Sequence, residues 1–147
     1  MSKSDAFEND LLKLIFNATA IANLADNAAS SPLTNLYWAL HTADPGDAGN
    51  QSTSEATYTG YARVPVARST SGMTASTAGS TSPVANVDFP IATGPTLPTV
   101  VAITFASIGV AVSGATKILY SGAVTPTINV SNGVTPRLTT ASTITED

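Results

Sequence analysis

Cysteine is absent from this sequence of 147 residues, and ionic side chains are scarce. The absence of cysteine excludes disulfide bonds and thiolate metal sites. Lysine and arginine together number six, so the clustered cations that contact nucleic-acid phosphates are missing and direct nucleic-acid binding is disfavoured. No apolar run reaches the roughly 20 residues that a membrane-spanning helix needs. We therefore expect neither nucleic acid nor a membrane as a direct partner.

Charged residues make up 11% of the chain, whereas about 25% is typical of globular domains. Serine, threonine, asparagine, glycine and alanine must therefore cover much of the surface. A free monomer ordinarily relies on charge for its solubility. The composition thus favours a protein that is docked in an assembly, and the length fits one domain with a short appendage.

The N-terminal segment predicts an amphipathic helix from about Ser4 to Ala25. Its apolar residues recur at helical spacing and form one face. Two interpretations of that face remain open: it packs on the sheet of its own chain, or it packs on a neighbouring subunit. We accordingly divide the chain into a helical arm, residues 1–30, and a β domain, residues 31–147. The apolar face comprises Phe7, Leu11, Leu14 and Ile15.

The central stretch, residues 35–66, predicts a strand, a long structured loop and a second strand. The apolar run Leu36–Leu40 contains the only tryptophan and is followed at once by the only histidine, His41. The segment Asp44–Asp47 has the composition of a turn, because aspartate bonds its own downstream backbone, proline fixes φ and glycine permits a positive φ.

Residues suited to chemistry are few. His41 has no second histidine to share a metal and no G-x-S-x-G context, so we predict a buried structural histidine oriented by a neighbouring carbonyl. No positioned acid, base and stabiliser come together in the sequence, and we expect no enzymatic activity and no cofactor. The central loop also contains four oxygen-bearing side chains of the kind that bind calcium, but their spacing departs from known loops. We predict Asx-turn hydrogen bonding and no metal site for these residues, which are Asp44, Asp47, Asn50 and Glu55.

Tyr58, Tyr61 and Arg63 have the residue types of a stacking platform for single-stranded nucleic acid. The electrostatic part of such a platform is missing, because cations are so few. Aromatic packing on a strand face is the preferred interpretation.

The C-terminal half predicts short strands separated by glycine and proline turns, with no intervening helix. Val100–Ile108 is the most apolar of these strands, and Lys117–Val124 predicts another. Asn132-Gly133 predicts a hairpin between residues 128–130 and 134–138. The pattern as a whole predicts a mainly β fold, with β-sandwich or jelly-roll-like antiparallel sheets and one N-terminal α-helix.

Three segments carry a family resemblance: LYWALHTADPGDAGNQ with YTGYARV, then KILYSGAV, then NGVTP followed by a threonine-rich end TITED. In that order they resemble small virion proteins of tailed bacteriophages, which are often labelled tail-fibre-like. Proteins of similar size with a β-sandwich core act as capsid cement or decoration proteins. The resemblance implies a structural protein of the virion and transfers no catalytic residue.

The leading hypothesis is a non-enzymatic capsid cement protein on the phage head surface, which binds the major capsid protein and copies of itself as a homo-dimer or homo-trimer. One alternative is a tail-fibre or baseplate protein that contacts the host receptor. Another is a hydrolase, which a pocket holding His41 beside a serine and a carboxylate would favour. The predicted partner contacts are Phe7, Leu11, Leu14, Ile15, Asp44, Asp47, Asn50 and Gln51.

Overall fold

The structure is a computed structural model that describes residues 4–21 and 33–146. In these ranges the chain forms one helix, α1 (Asp5–Phe16), and eight strands. The pairings of the first strand with the fifth, the fifth with the sixth and the third with the eighth are antiparallel. The predicted fold class, mainly β with antiparallel sheets and one N-terminal helix, is confirmed. The strands are β1 (Asn35–His41), β2 (Val64–Ala67), β3 (Ser80–Thr81), β4 (Val87–Asp88), β5 (Val101–Gly109), β6 (Ile118–Val130), β7 (Arg137–Leu138) and β8 (Ile144–Thr145).

The chain divides into two compact units, each assembled from segments that are distant in sequence. The predicted boundary between an arm of residues 1–30 and a domain of residues 31–147 lies outside the described residues and stays a prediction. The first unit combines Met1–Leu36, Val66–Asn86 and Leu138–Asp147, and the second combines Tyr37–Pro65 and Val87–Arg137.

The helix α1 packs into the first unit through one side. Leu12 and Phe16 are 0% and 1% exposed, and residues four apart lie on the same face of a helix. Asn9 joins this side, because its Oδ1 accepts hydrogen bonds from the Ser76 hydroxyl at 2.9 Å and from the Gly79 N–H at 2.8 Å. The pair β3–β8 lies in the same unit. The interior of this unit is therefore partly polar.

α1 ends at Phe16, earlier than predicted. Ala18 takes a φ of 55°, in the left-handed region that ends helices. Arg68 donates from Nε to the Ile15 carbonyl at 2.6 Å and from Nη2 to the Leu14 carbonyl. Those carbonyls are acceptors that a helix end leaves without an intrahelical partner. Helical periodicity continues past Phe16, but it cannot reveal a cap that lies 53 residues further along the chain.

The last predicted helical residues, 22–25, lie outside the described ranges. Within residues 4–21 and 33–146, no helix is long and apolar enough to cross a membrane.

The second unit contains most of a four-stranded sheet with the order β2-β1-β5-β6. The inner strands β1 and β5 are the most buried, with Trp38 4%, Leu40 0% and Ile103 0% exposed. Their apolar runs match this position, because a strand with neighbours on both sides and covered faces needs few polar side chains. The predicted strands at residues 36–42 and 100–108 are confirmed. β6 lies at the edge of the sheet, and most of its residues are exposed.

The predicted hairpin around Asn132-Gly133 is wrong. The turn forms, but the returning chain bonds to residues 89–92 and not to β6. The Phe89 N–H donates to the Pro136 carbonyl and the Ala92 N–H donates to the Val134 carbonyl, both at 2.9 Å. Local turn chemistry fixes the bend, whereas the pairing partner depends on packing between distant segments.

Candidate interaction surface

A buried polar cluster around Arg63 holds the long loop that follows β1. The Arg63 side chain is 1% exposed and binds the Glu55 carboxylate twice, with Nε–Oε1 at 2.7 Å and Nη2–Oε2 at 2.8 Å. The same guanidinium donates to the carbonyls of Ala111 at 3.1 Å and Gly114 at 2.8 Å. Bidentate guanidinium–carboxylate pairs are among the strongest hydrogen-bonded contacts in proteins. The cluster therefore ties residues 51–63 to the loop between β5 and β6.

Gln51 is a second member of the Arg63 cluster and is fully buried. Its Nε2 donates to the Tyr37 carbonyl at 2.9 Å, and its Oε1 accepts hydrogen bonds from Arg63 and Thr116. Gly109 makes room for this side chain, because a Cβ at that position would lie 2.1 Å from the Gln51 Cδ. A loop side chain thus reaches the central sheet only because β5 ends in glycine.

Tyr61 connects the cluster to β1. Its hydroxyl donates to Glu55 Oε1 at 3.0 Å and accepts the Leu40 N–H at 3.1 Å. Burial raises the pKa of Tyr61 and raises the pKa of Tyr58 to about 12, so both phenols stay neutral. The Tyr61 ring meets Tyr58 edge-on and stacks on Phe89. Packing is confirmed as the role of these tyrosines, although they precede β2 and do not lie on it as predicted.

His41 is fully buried at the end of β1. Its Nδ1 donates to the Thr53 carbonyl at 2.8 Å, and its Nε2 accepts a hydrogen bond from the Ser107 hydroxyl at 2.7 Å. Because a carbonyl oxygen can only accept a hydrogen bond, the proton of the neutral ring lies on Nδ1. Burial lowers the pKa of His41 and favours the neutral ring. The prediction of a buried histidine oriented by a carbonyl is confirmed.

The turn residues of the central loop bond as Asx turns, in agreement with the sequence. Asp44 Oδ1 accepts the Gly46 N–H at 2.9 Å, and Gly46 has a φ of 67°. Asn50 Oδ1 accepts the Ser52 N–H at 2.9 Å. Among the described residues, no three acidic or histidine side chains are grouped to hold a metal ion.

The apolar α1 residues predicted to contact a partner lie away from the buried side of the helix. Phe7 is 38% exposed, and the other three are half-buried. At about 100° per residue, this set and the pair Leu12 and Phe16 fall on different sides of the helix. The helix thus carries a second apolar stripe, and its role as a partner contact stays a prediction. We call this set, Phe7, Leu11, Leu14 and Ile15, the helix stripe.

The loop residues predicted to contact a partner separate into two groups. Asp44 and Asp47 are exposed and Asn50 is half-buried, so their side chains remain open to a partner. Gln51 is fully buried and belongs to the Arg63 cluster. Its side chain therefore serves the interior, and we remove it from the proposed surface.

Comparison with known protein families assigns the chain. Residues 2–145 match the family model described as Podophage GP4 fiber I protein gp80. The chain belongs to this family. It is thus a bacteriophage virion structural protein. No curated protein matches it.

One segment of the second unit of this virion protein is almost without charge. From Phe89 to Pro136 the sequence contains one charged residue, Lys117. Several large aliphatic side chains of the same segment are exposed, up to 68% for Leu97. Large aliphatic side chains that are exposed in a segment with so little charge are candidates for contact with another protein. We call this set the uncharged face; it comprises Ile91, Leu97, Val100 and Val112.

Sequence reasoning about this virion protein missed the Arg63 cluster. One signal was available: between Lys13 and Lys117 the sequence contains only two cations, Arg63 and Arg68. Each of them binds backbone carbonyls of distant segments. Arginine suits buried, multiply bonded positions, so an isolated arginine in a chain so poor in cations is a candidate for an internal tie.

Proposed function

We propose that this virion protein is a non-enzymatic subunit of a phage fibre and that it acts by docking on neighbouring subunits. The family description as a fiber protein supports this location. The docking mode rests on one observation, the uncharged face of the second unit. Such a face presents no like charges that would repel an adjacent copy at close approach.

The position of His41 supports a structural role over catalysis. A hydrolase needs a histidine beside a serine and a carboxylate at a place that substrate reaches. His41 does contact Ser107, but the two residues are 0% and 1% exposed. The other ring nitrogen faces the Thr53 carbonyl where a triad has a carboxylate. A serine that no substrate reaches is a core residue.

The hollow beside the Arg63 cluster supports the same conclusion. It has a volume of about 420 Å³, and its lining includes Glu55, Tyr61 and Arg63. The Glu55 carboxylate is already bonded by Arg63 and by the Tyr61 hydroxyl. A general acid or base needs a group that exchanges a proton with the substrate, and these groups bind one another.

The helix stripe favours a second location, the surface of the phage head. A cement protein binds the major capsid protein through a small contact that the icosahedral shell repeats many times, and repetition makes a weak contact strong. α1 is short, and it carries the helix stripe in addition to the apolar side that its own unit buries. A helix of this kind is suited to such a contact. Copies of the chain would then sit beside one another as well as on the shell.

Copy number and labelling separate the two locations. For a fibre subunit, we expect the chain to be far less abundant than the major capsid protein in purified particles. We also expect gold-labelled antibodies against the chain to bind to a fibre. Abundance comparable with that of the major capsid protein, with label over the head, would support the cement role and exclude the fibre.

The docking role of the helix stripe is tested by a matched pair of variants, Phe7→Asp and Ala6→Asp. Both positions are exposed in the first turns of α1, where a carboxylate is tolerated by the helix dipole. Phe7→Asp places a charge on the stripe and should reduce incorporation into particles severalfold. Ala6→Asp places the same charge on another side of the helix and should leave incorporation unchanged. Equal incorporation of both variants would remove the helix stripe from the docking surface.

A further inference from the structure

β6 offers a short length of open sheet edge. The strand lies at one end of the sheet order, and no other described strand pairs with its outer side. The register against β5 is regular from Tyr120 to Ala123. It shifts before this window, and it shifts again between Ala123 and Ile128. Such irregularities end strand pairing, so the open window is limited on both sides.

The window carries no charged residue, and three of its four residues are exposed. Ser121, Gly122 and Ala123 are all exposed. A Cβ built on Gly122 would meet nothing within 4 Å. Edge strands commonly carry lysine or an inward-pointing charge that prevents pairing with another chain. In this window that protection is absent, and only the irregular register on either side limits pairing.

We propose that the window from Tyr120 to Ala123 pairs antiparallel with the same window of a second copy of this chain. This deepens the proposed docking function by naming one surface and its occupant. Hydrogen-bonded and non-hydrogen-bonded pairs alternate along an antiparallel ladder. A two-fold axis between two identical strands must therefore pass midway between one residue and the same residue of the second copy. We place that axis at Ser121, because Tyr120 then lies opposite Gly122 of the second copy, where open space can receive a ring.

Charge does not oppose a second copy as the occupant. Lys117 is the single charged residue of the hairpin from β5 to β6. With the axis at Ser121, the two lysines lie on opposite sides of it, eight residue positions apart along the pair. That separation is about 26 Å at the strand rise, well beyond the Debye length of about 8 Å at physiological salt. The pairing thus brings no like charges together.

The distribution of exposed aliphatic side chains also fits a two-fold pair. Val112 lies in the connection at one end of the β5–β6 ladder, and Leu97 and Val100 precede the other end, where Val101 pairs with Val130. Antiparallel pairing sets the Val112 end of one copy beside the Val100 end of the other. A window of four residues buries far less than the about 800 Å² per partner of a standard interface. These side chains must therefore contribute, and the dimer is weak when isolated.

Single cysteines test the pairing on purified chain, so the result does not depend on the location in the particle. The natural chain has no cysteine. Ser121→Cys should give a disulfide-linked dimer on mild oxidation, because directly opposed residues of a ladder lie within the range that a disulfide spans. Thr127→Cys is exposed on the same strand but distant from the axis, and it should cross-link at least tenfold more slowly. Equal rates would overturn the proposal.

Charge insertion gives a second readout by sedimentation equilibrium. Ser121→Lys places two lysines directly opposite each other and should raise the dimer dissociation constant by about fivefold. Thr127→Lys should leave that constant unchanged. If Ser121→Lys leaves the dimer dissociation constant unchanged and Ser121→Cys gives no cross-link, the dimer forms through another face. That result would overturn the proposal. So would pairing of β6 with a different virion protein while the chain alone remains monomeric at millimolar concentration.

Discussion

The Arg63 cluster and the uncharged face lie in the same unit and use charge in opposite ways. The cluster buries a guanidinium, pairs it with a half-buried carboxylate and surrounds it with carbonyl, amide and hydroxyl partners. The segment that carries the uncharged face has one charged residue from Phe89 to Pro136. The ion pair of the cluster fixes loops, whereas the exposed aliphatic side chains lie in a segment with a single charge.

This contrast has an energetic side. Burying an ion pair costs desolvation, and apolar residues of similar volume often stabilise a fold as well or better. The value of the Arg63 cluster therefore lies in geometry: one side chain holds residues 51–55 and 111–116 in fixed positions. The contrast leads to four measurements, two on the cluster, one on His41 and one on the uncharged face.

Removal of the guanidinium should have the largest effect. Arg63→Met leaves the half-buried Glu55 carboxylate without its cation and two loop carbonyls without their donor, and it should lower the free energy of unfolding by about 2–4 kcal/mol, as measured by urea denaturation. Arg137→Met is the matched control, because Arg137 pairs with Asp88 in an exposed ion pair, and such pairs contribute little. An equal decrease in the free energy of unfolding in both variants would contradict the stabilising role of the Arg63 cluster.

A methyl group added at the end of β5 tests whether the Gln51 side chain of the cluster is held in place. Gly109→Ala pushes a Cβ into Gln51, which three hydrogen bonds hold in place, and should cost about 1–3 kcal/mol. Gly122→Ala, on the open side of β6, meets nothing within 4 Å and should change stability little. If thermal unfolding shows equal midpoints for the two variants, Gln51 is not held as described.

Stability should fall as the pH drops from 7.5 to 5.5. Burial lowers the pKa of His41 in the folded chain, whereas an unfolded histidine titrates near pH 6.5. Over this interval the unfolded chain binds more protons, so acid favours unfolding. The loss over this interval is at most about 1.4 kcal/mol, because the unfolded histidine takes up its proton only near pH 6.5. His41 is the only histidine, so His41→Gln should flatten the urea-unfolding profile; an unchanged slope would contradict the assignment.

The smallest effect on stability is expected at the uncharged face. Leu97 is already 68% exposed, so Leu97→Ser should change the free energy of unfolding by no more than about 0.5 kcal/mol. Ile103→Ser, in the buried part of β5, should be severely destabilising by comparison. Incorporation into particles should nevertheless decline for Leu97→Ser, and normal incorporation would remove Leu97 from the docking surface.

The sequence predicts the parts of this molecule that depend on neighbours along the chain. The apolar runs of β1 and β5, the helical start of α1 and the Asx turn at Asp44 all follow from local pattern and turn chemistry. The apolar periodicity of α1 also predicts the helix stripe, although it does not show that Leu12 and Phe16 form the buried side.

The parts that depend on distant segments were not predictable in the same way. The Arg68 cap of α1, the approach of Gln51 to Gly109 and the pairing of residues 134–136 with 89–92 are formed across 42 or more positions. No local pattern carries that information. Arg63 itself stands among aromatic residues that resemble a binding platform, and only the structure shows that its charge is used internally.

Trp38 gives the second unit a built-in optical signal. It is the only tryptophan, and its ring is buried in β1, which is hydrogen-bonded to β5. Fluorescence excited at the indole band therefore reports on the central sheet. Melting of the helix in the first unit can thus be followed by circular dichroism while the emission wavelength shows whether the sheet is still intact.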